Sequence, residues 1–327
     1  LLPQLDEKQM RNIVGGALGS RQSEDENVST QQMAMQFYTI YGENSPFVKR
    51  ISNSELQALT ISDLTGAFIE ATNYEASIHY VGKKKFDEVQ DVLTNNLALP
   101  ANLKKSTSPY IRPVAESKDV IYFLNNKEVR QSMISLYTEG WTYSLSDESV
   151  KDAFNQYFSG GFNGIVKQEL REKRSFAYSA GASFLSPPII GEQAFLAGLI
   201  RTQSDKTIDA ISEFVKLINE MPDKPERMES IKKYLVQSAQ SSKPGFRVLS
   251  REIENWRLMG YDEDPNKLLV SKYKDLTYDD IREFYVEHLQ NKPVSIGVVG
   301  NKKDVDVKEL KTLGEVDKIR IDDLFTY

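Results

Sequence analysis

The sequence has no cysteine in its 327 residues, which excludes disulfides, thiolate zinc sites and cysteine nucleophiles together. It has two histidines, His79 and His288, 209 positions apart. A zinc site with two imidazole ligands would need both. Neither has a His or carboxylate four residues on with which to share a metal. His79 falls in an apparent strand and His288 closes a helical pattern, so both read as structural or surface residues. A Ser-His-Asp arrangement has no nucleophile-elbow motif behind it. No apolar run approaches the roughly 18 residues that a membrane helix needs. Basic blocks are absent as well: 41 Lys and Arg stand against 47 Asp and Glu, for a net charge of −6. Such a chain is a poor nucleic-acid binder. The opening, Leu1-Leu2-Pro3, has neither a Met nor the charged-then-apolar pattern of a signal. The sequence is therefore expected to be a piece of something longer, with any targeting signal out of view.

What is present is ordinary for a globular chain: 40% hydrophobic and 27% charged residues. The length suggests about two domains, and an internal repeat supports that. Leu59-Thr60-Ile61-Ser62-Asp63-Leu64 and Leu276-Thr277-Tyr278-Asp279-Asp280-Ile281 each open a helix, with Thr60 or Ser62 and Thr277 as caps. Each helix carries an aromatic expected to be buried, Phe68 and Phe284. Each is followed by a β-rich run ending in Val-Gly, at Val81-Gly82 and Val299-Gly300, and then by a lysine turn, Lys83-Lys84-Lys85 and Lys302-Lys303. The offsets, 217 residues for the Thr pair and 218 for the Gly pair, are nearly constant. The later copy starts at the strand 119–123. The same offset places the start of the earlier copy about 98 residues before Leu1, so the first copy is expected to be truncated at its N-terminus. The expected organisation is the C-terminal part of a first repeat over 1–98, a Pro-, Ser- and Lys-rich linker over 99–117, and a complete second repeat over 118–327.

Within the later copy, 119–124, 132–138, 176–185, 193–201 and 294–299 read as strands. Helices are expected over 146–158, around 162–170, and over 207–220, 225–238, 247–259 and 278–289. Strands and helices in this mixed order predict an α+β fold, with helices layered on a mostly antiparallel sheet.

Several clusters have plain structural readings. Gly160-Gly161-Phe162-Asn163-Gly164 lacks the lysine and hydroxyl of a phosphate loop and reads as a tight turn into a helix. Tyr41-Gly42 reads as a turn after a helix. Glu24-Asp25-Glu26 has no neighbouring His and reads as a loop. The segment from Leu170 through Arg171 to Tyr178 has a sharper reading. Arg171 leaves a helix end and Tyr178 sits in the following strand. A turn of that length can bring a guanidinium and a phenol to one edge, where they would donate to a peptide carbonyl or an oxyanion.

Together these pieces resemble the insulinase and pitrilysin family of zinc metallopeptidases, the inverzincins with His-x-x-Glu-His. The likeness rests on Gly160-Gly161 through Leu170-Arg171-Glu172 to Ala177-Tyr178-Ser179, on Tyr41-Gly42 through Pro46, and on the two Leu-Thr to Val-Gly halves. It implies two homologous metallopeptidase-like α+β domains, the first truncated. It also implies that Arg171 and Tyr178 hold the substrate main chain near a zinc ion bound by another half. This sequence has no His-x-x-Glu-His. Where the family's distal zinc-ligand Glu would lie, it has Gly16-Ala17 and no Glu in register. The resemblance thus implies no catalytic and no metal-binding residue here, and no activity for this chain alone. Zinc in the full enzyme would be bound by an upstream half or a partner chain. The resemblance favours a soluble bacterial protein of the cell envelope over a cytoplasmic one.

Two functions follow from the resemblance. The first is the substrate-binding half of a zinc-dependent peptidase that degrades unfolded peptides in a closed chamber, the peptide adding to a sheet edge. The second is a non-catalytic structural or assembly subunit related to processing peptidases.

Overall fold

The computed structural model describes residues 6–24, 26–97, 100, 102–105, 110–115 and 117–327. The centre of the fold is one six-stranded sheet. Its strands are β1 (Val120–Asn125), β2 (Gln131–Thr142), β3 (Ser179–Leu185), β4 (Gln193–Gln203), β5 (Ser295–Gly300) and β6 (Glu315–Ile319), in the order β3-β4-β2-β5-β1-β6. The β3–β4, β4–β2 and β2–β5 pairs are antiparallel, while β1 runs parallel to both β5 and β6. The sheet is therefore mixed and mostly antiparallel, as the sequence predicts. Every residue of β5 is buried, the pattern of a strand covered on both faces.

The helices before the sheet are α1 (Glu7–Gln22), α2 (Val28–Tyr41), α3 (Asn53–Ala58), α4 (Ile61–Ala71) and α5 (Phe86–Asn96). After β2 come α6 (Glu148–Ser159) and α7 (Ile165–Lys167), and after β4 come α8 (Thr207–Asn219), α9 (Met228–Ser241), α10 (Leu249–Leu258), α11 (Pro265–Asp275) and α12 (Tyr278–His288). Two short helices, α13 (Val307–Leu310) and α14 (Ile321–Leu324), flank β6.

One face of the sheet carries the main core. Phe154 and Phe158 sit four residues apart on α6, on one helix face, with ring centroids 5.1 Å apart. Phe184 of β3 and Phe284 of α12 close on Phe154 at 5.5 and 5.3 Å, and Trp141 stacks on His288 at 4.1 Å. Ala210, Ile211, Phe214, Leu217 and Ile218 give α8 its buried stripe. Each large apolar side chain fully buried here is worth about 1.5–3 kcal/mol.

The other face is covered by α2, which crosses β2 and β5. Gly297 makes the approach possible: a Cβ there would lie 2.2 Å from Thr39 Oγ1 and 2.7 Å from Met35 Cγ. Gly42, at φ +55°, ends α2, as expected of a turn after a helix. Arg50 fixes the following loop. It binds both carboxylate oxygens of Glu24, at 2.8 and 2.6 Å, and donates to the Thr326 carbonyl at 2.9 Å.

Two local expectations change. Residues 76–81 read as a strand, yet among the described residues this stretch is unpaired coil, following a single bridge between Tyr74 and Lys104. An alternating pattern makes a strand only where a neighbouring strand offers its backbone. Here the partner is a side chain, Glu254 of α10, which accepts from Ser77 Oγ and meets His79 Nε2 at 2.8 Å. Phe68 is 39% exposed, whereas its counterpart Phe284 is buried. In the linker, Leu99, Ala101, 106–109 and Glu116 lie outside the described residues, as does Asp25 of the acidic loop. The described part of the linker is tied to the sheet domain: Val114 N donates to Ile40 O at 2.9 Å, and Arg112 pairs with Glu192 at 2.9 Å.

Candidate functional site

The segment carrying Arg171 and Tyr178 is built on a buried anchor. The glycine-rich turn precedes it: Gly160 ends α6, Gly161 has φ +57°, and a Cβ on Gly164 would lie 2.5 Å from the Ser159 backbone. It is a tight turn, as its sequence suggests. α7 continues into a π-helical stretch, Gln168–Lys173, that buries Leu170 and Glu169. The Leu170 carbonyl accepts from Phe176 N at 2.8 Å and from Ala177 N at 3.2 Å, and the Arg171 carbonyl accepts from Ser175 N at 3.0 Å. Ser175 takes φ +55° to make that reversal. The chain then enters the sheet, where Tyr178 N donates to Arg201 O at 2.8 Å and Thr202 Oγ1 donates to the Phe176 carbonyl.

Glu169 holds the turn from below. Its buried carboxylate meets Lys173 at 2.6 Å and Arg174 at 2.8 Å, and Arg174 reaches on to Glu213 of α8 at 3.2 Å. Burial pushes the Glu169 pKa up, but the hydrogen bonds and charges of Lys173 and Arg174 outweigh it. The carboxyl is held below its ordinary range.

The turn places Arg171 and Tyr178 on one open cavity of about 380 Å³, whose other walls are Glu172, Ser175, Phe176, Ala177 and Gln203. Both side chains face solvent, Arg171 at 46% and Tyr178 at 58% exposure. Among the described residues Arg171 pairs only with its neighbour Glu172, at 3.5 Å, and the Tyr178 hydroxyl makes no hydrogen bond. A guanidinium and a phenol thus stand available as donors beside the edge strand β3.

That edge is partly closed. Ser159 Oγ accepts from Ala182 N at 3.0 Å, Asn155 Oδ1 accepts from Phe184 N at 2.8 Å, and Asn155 Nδ2 donates to the Phe184 carbonyl at 2.9 Å. A peptide adding to a sheet edge is therefore excluded from the 182–184 end of β3, because its partners are already taken. Sequence reasoning missed Asn155 and Ser159. Their spacing of four residues puts them on one face of α6, but it does not say which strand that face meets.

The histidines have separate structural roles. His79 pairs with Glu254, and His288 is 14% exposed against Trp141, its pKa lowered by burial. Among the described residues no three His, Cys, Asp or Glu side chains group as a metal site. This donor set does not fit zinc. Among the described residues no helix is long and apolar enough to cross a membrane.

Residues 75–235 match the family model described as the peptidase M16 inactive domain. No curated protein sequence matches the chain. Among solved structures, a peptidase M16 inactive domain from Pseudomonas fluorescens superposes with TM-score 0.68 at 16% identity, covering 91% of this chain and 72% of that one. The periplasmic protease PqqL from Escherichia coli gives 0.69 at 14% identity, covering 91% of this chain, which spans only 33% of that protein. A chain of complex III2 from Candida albicans gives 0.61 at 13% identity, covering 94% and 75%. At these identities the superpositions establish the fold, and the family model supplies the kinship. Residues 75–235, just under half of the chain, thus match the peptidase M16 inactive domain, and the chain shares the fold of that solved inactive domain.

Proposed function

We propose that this chain is the substrate-binding, non-catalytic half of a zinc-dependent peptidase that degrades unfolded peptides in a closed chamber. The zinc site, with its His-x-x-Glu-His, is supplied by an upstream half or a partner chain. The observation that carries this reading is the shared cavity of Arg171 and Tyr178, both solvent-facing and held by a turn pinned on buried Glu169. In this role the two donors bind the peptide main chain and stabilise negative charge developing on the scissile carbonyl oxygen. Bond cleavage belongs to the other half. The same proposal reads the segment before the linker as the later part of a first repeat. In support, α4 and α12 open with the same reciprocal cap, Thr60 with Asp63 and Thr277 with Asp280.

The test is reconstitution with the naturally encoded upstream region, with and without zinc, following cleavage of a quenched unstructured peptide. Zinc-dependent cleavage that needs both pieces supports the proposal. A folded, zinc-loaded pair inactive on several unrelated peptides sinks it.

The second reading is a structural or assembly subunit. The likeness to a chain of complex III2 and the closed 182–184 edge favour it. Degenerate residues in place of His-x-x-Glu-His upstream would select it.

A further inference from the structure

The lysine turn after β5 has no part in the proposed peptide site, yet it borders a cavity of about 640 Å³. β5, β1 and β6 run parallel, so their carboxyl ends at Gly300, Asn125 and Ile319 open to one side. The crevice outside the carboxyl ends of parallel strands is a general place for ligands in α/β sheets. Here it is ringed by Lys302, Lys303, Lys308 and Lys318, with Phe123, Val305 and Ile319 among the apolar residues lining it. Phe123 and Val305 are buried.

The charge of this crevice runs against the chain, which carries −6 overall. Its acids are Asp304 and Asp306. Asp306 is occupied: its Oδ1 accepts from Lys308 N at 2.8 Å and Glu309 N at 3.3 Å, capping α13. Among the described residues none of the four ammonium groups has a carboxylate within ion-pairing distance. The turn itself is fixed, with Lys302 N donating to Asn125 Oδ1 and Lys303 N to Asn301 Oδ1, both at 3.0 Å. Four unpaired cations on a rigid rim above an apolar lining are matched by a ligand with an anionic group and an apolar body.

We propose that this crevice binds a phosphorylated small molecule of nucleotide size, its phosphate on the lysine rim and its body on the half-buried Val307 and Ile319. The assignment concerns this chain alone and does not depend on the peptide site. The test is calorimetric titration of the chain with adenosine monophosphate and with inorganic phosphate, at about 50 mM and about 200 mM salt. The expected result is saturable one-to-one binding of the nucleotide, at least about tenfold tighter than phosphate and weaker at the higher salt. Lys302→Ala combined with Lys318→Ala should weaken it at least about tenfold. Both lysines are exposed, so the variant should keep the parent's circular dichroism and melting temperature. Three results would each overturn the proposal: no saturation by either probe at the lower salt, phosphate binding as tightly as the nucleotide, or nucleotide binding untouched in the double variant.

Discussion

Glu169 and Arg174 meet at 2.8 Å beneath the turn that carries Arg171 and leads to Tyr178. The acid is buried and its partners reach it from the half-exposed side, so the pair acts as a pin between the turn and α8. Glu169→Ala should cost about 1–3 kcal/mol in urea unfolding, because Lys173 and Arg174 lose their acceptor. It should also speed amide exchange at Ser175, Phe176 and Ala177. The folded carboxyl is held below its ordinary range, so its contribution is present above the unfolded pKa of about 4.3 and is lost as pH falls through the folded value. Unchanged exchange in the variant would mean the turn is held by its backbone bonds alone.

Gly297 and α2 give a second test. A methyl at Gly297 would fall within 2.2 Å of Thr39 Oγ1, so Gly297→Ala should push α2 from the sheet at a cost of about 1–3 kcal/mol. Gly66, in the middle of α4, has nothing within 4 Å of a built Cβ. Gly66→Ala should be neutral or stabilise by up to about 1 kcal/mol. Equal melting temperatures for the two variants would contradict the packing of α2 described above.

His288 should make stability depend on pH. Burial against Trp141 lowers its pKa from 6.5, while Glu287 and Asp147 pull it back up and Lys292 pushes it down. The native state therefore resists a proton that the unfolded chain accepts. The contribution is complete above the unfolded pKa of about 6.5 and declines as pH falls below it. His288→Gln should flatten the change in urea midpoint between about pH 7 and about pH 5. An identical slope in parent and variant would remove His288 as the cause.

The sequence made α6, α8 and α12 legible because their apolar residues recur at helical spacing, and Thr277 marked where α12 begins. It left α11 unread, although Asp264 and Pro265 form a cap and first-turn pair of the expected kind. β6, Glu-Val-Asp-Lys-Ile, was also unread. As an edge strand it is mostly exposed and carries no apolar alternation to find. The stretch 76–81 shows the opposite error, a strand pattern without a strand. At the site, the spacing that joins Arg171 to Tyr178 was visible in the sequence. Glu169 was not, because an acid four residues before a lysine looks the same in sequence whether solvated or buried. Nothing local announced that Asn155 and Ser159 would close the outer edge of β3, since that depends on where α6 lies in space.

The roles of Arg171 and Tyr178 are read out by single-turnover cleavage of a quenched unstructured peptide, using the chain reconstituted with its natural upstream half. Both side chains are exposed, so Arg171→Ala and Tyr178→Phe should each leave stability within about 0.5 kcal/mol of the parent. Loss of one oxyanion donor should lower the cleavage rate by roughly 10²–10³-fold for the arginine, with a smaller loss for the tyrosine. Parental cleavage rates in both variants would contradict the claim that Arg171 and Tyr178 hold the substrate.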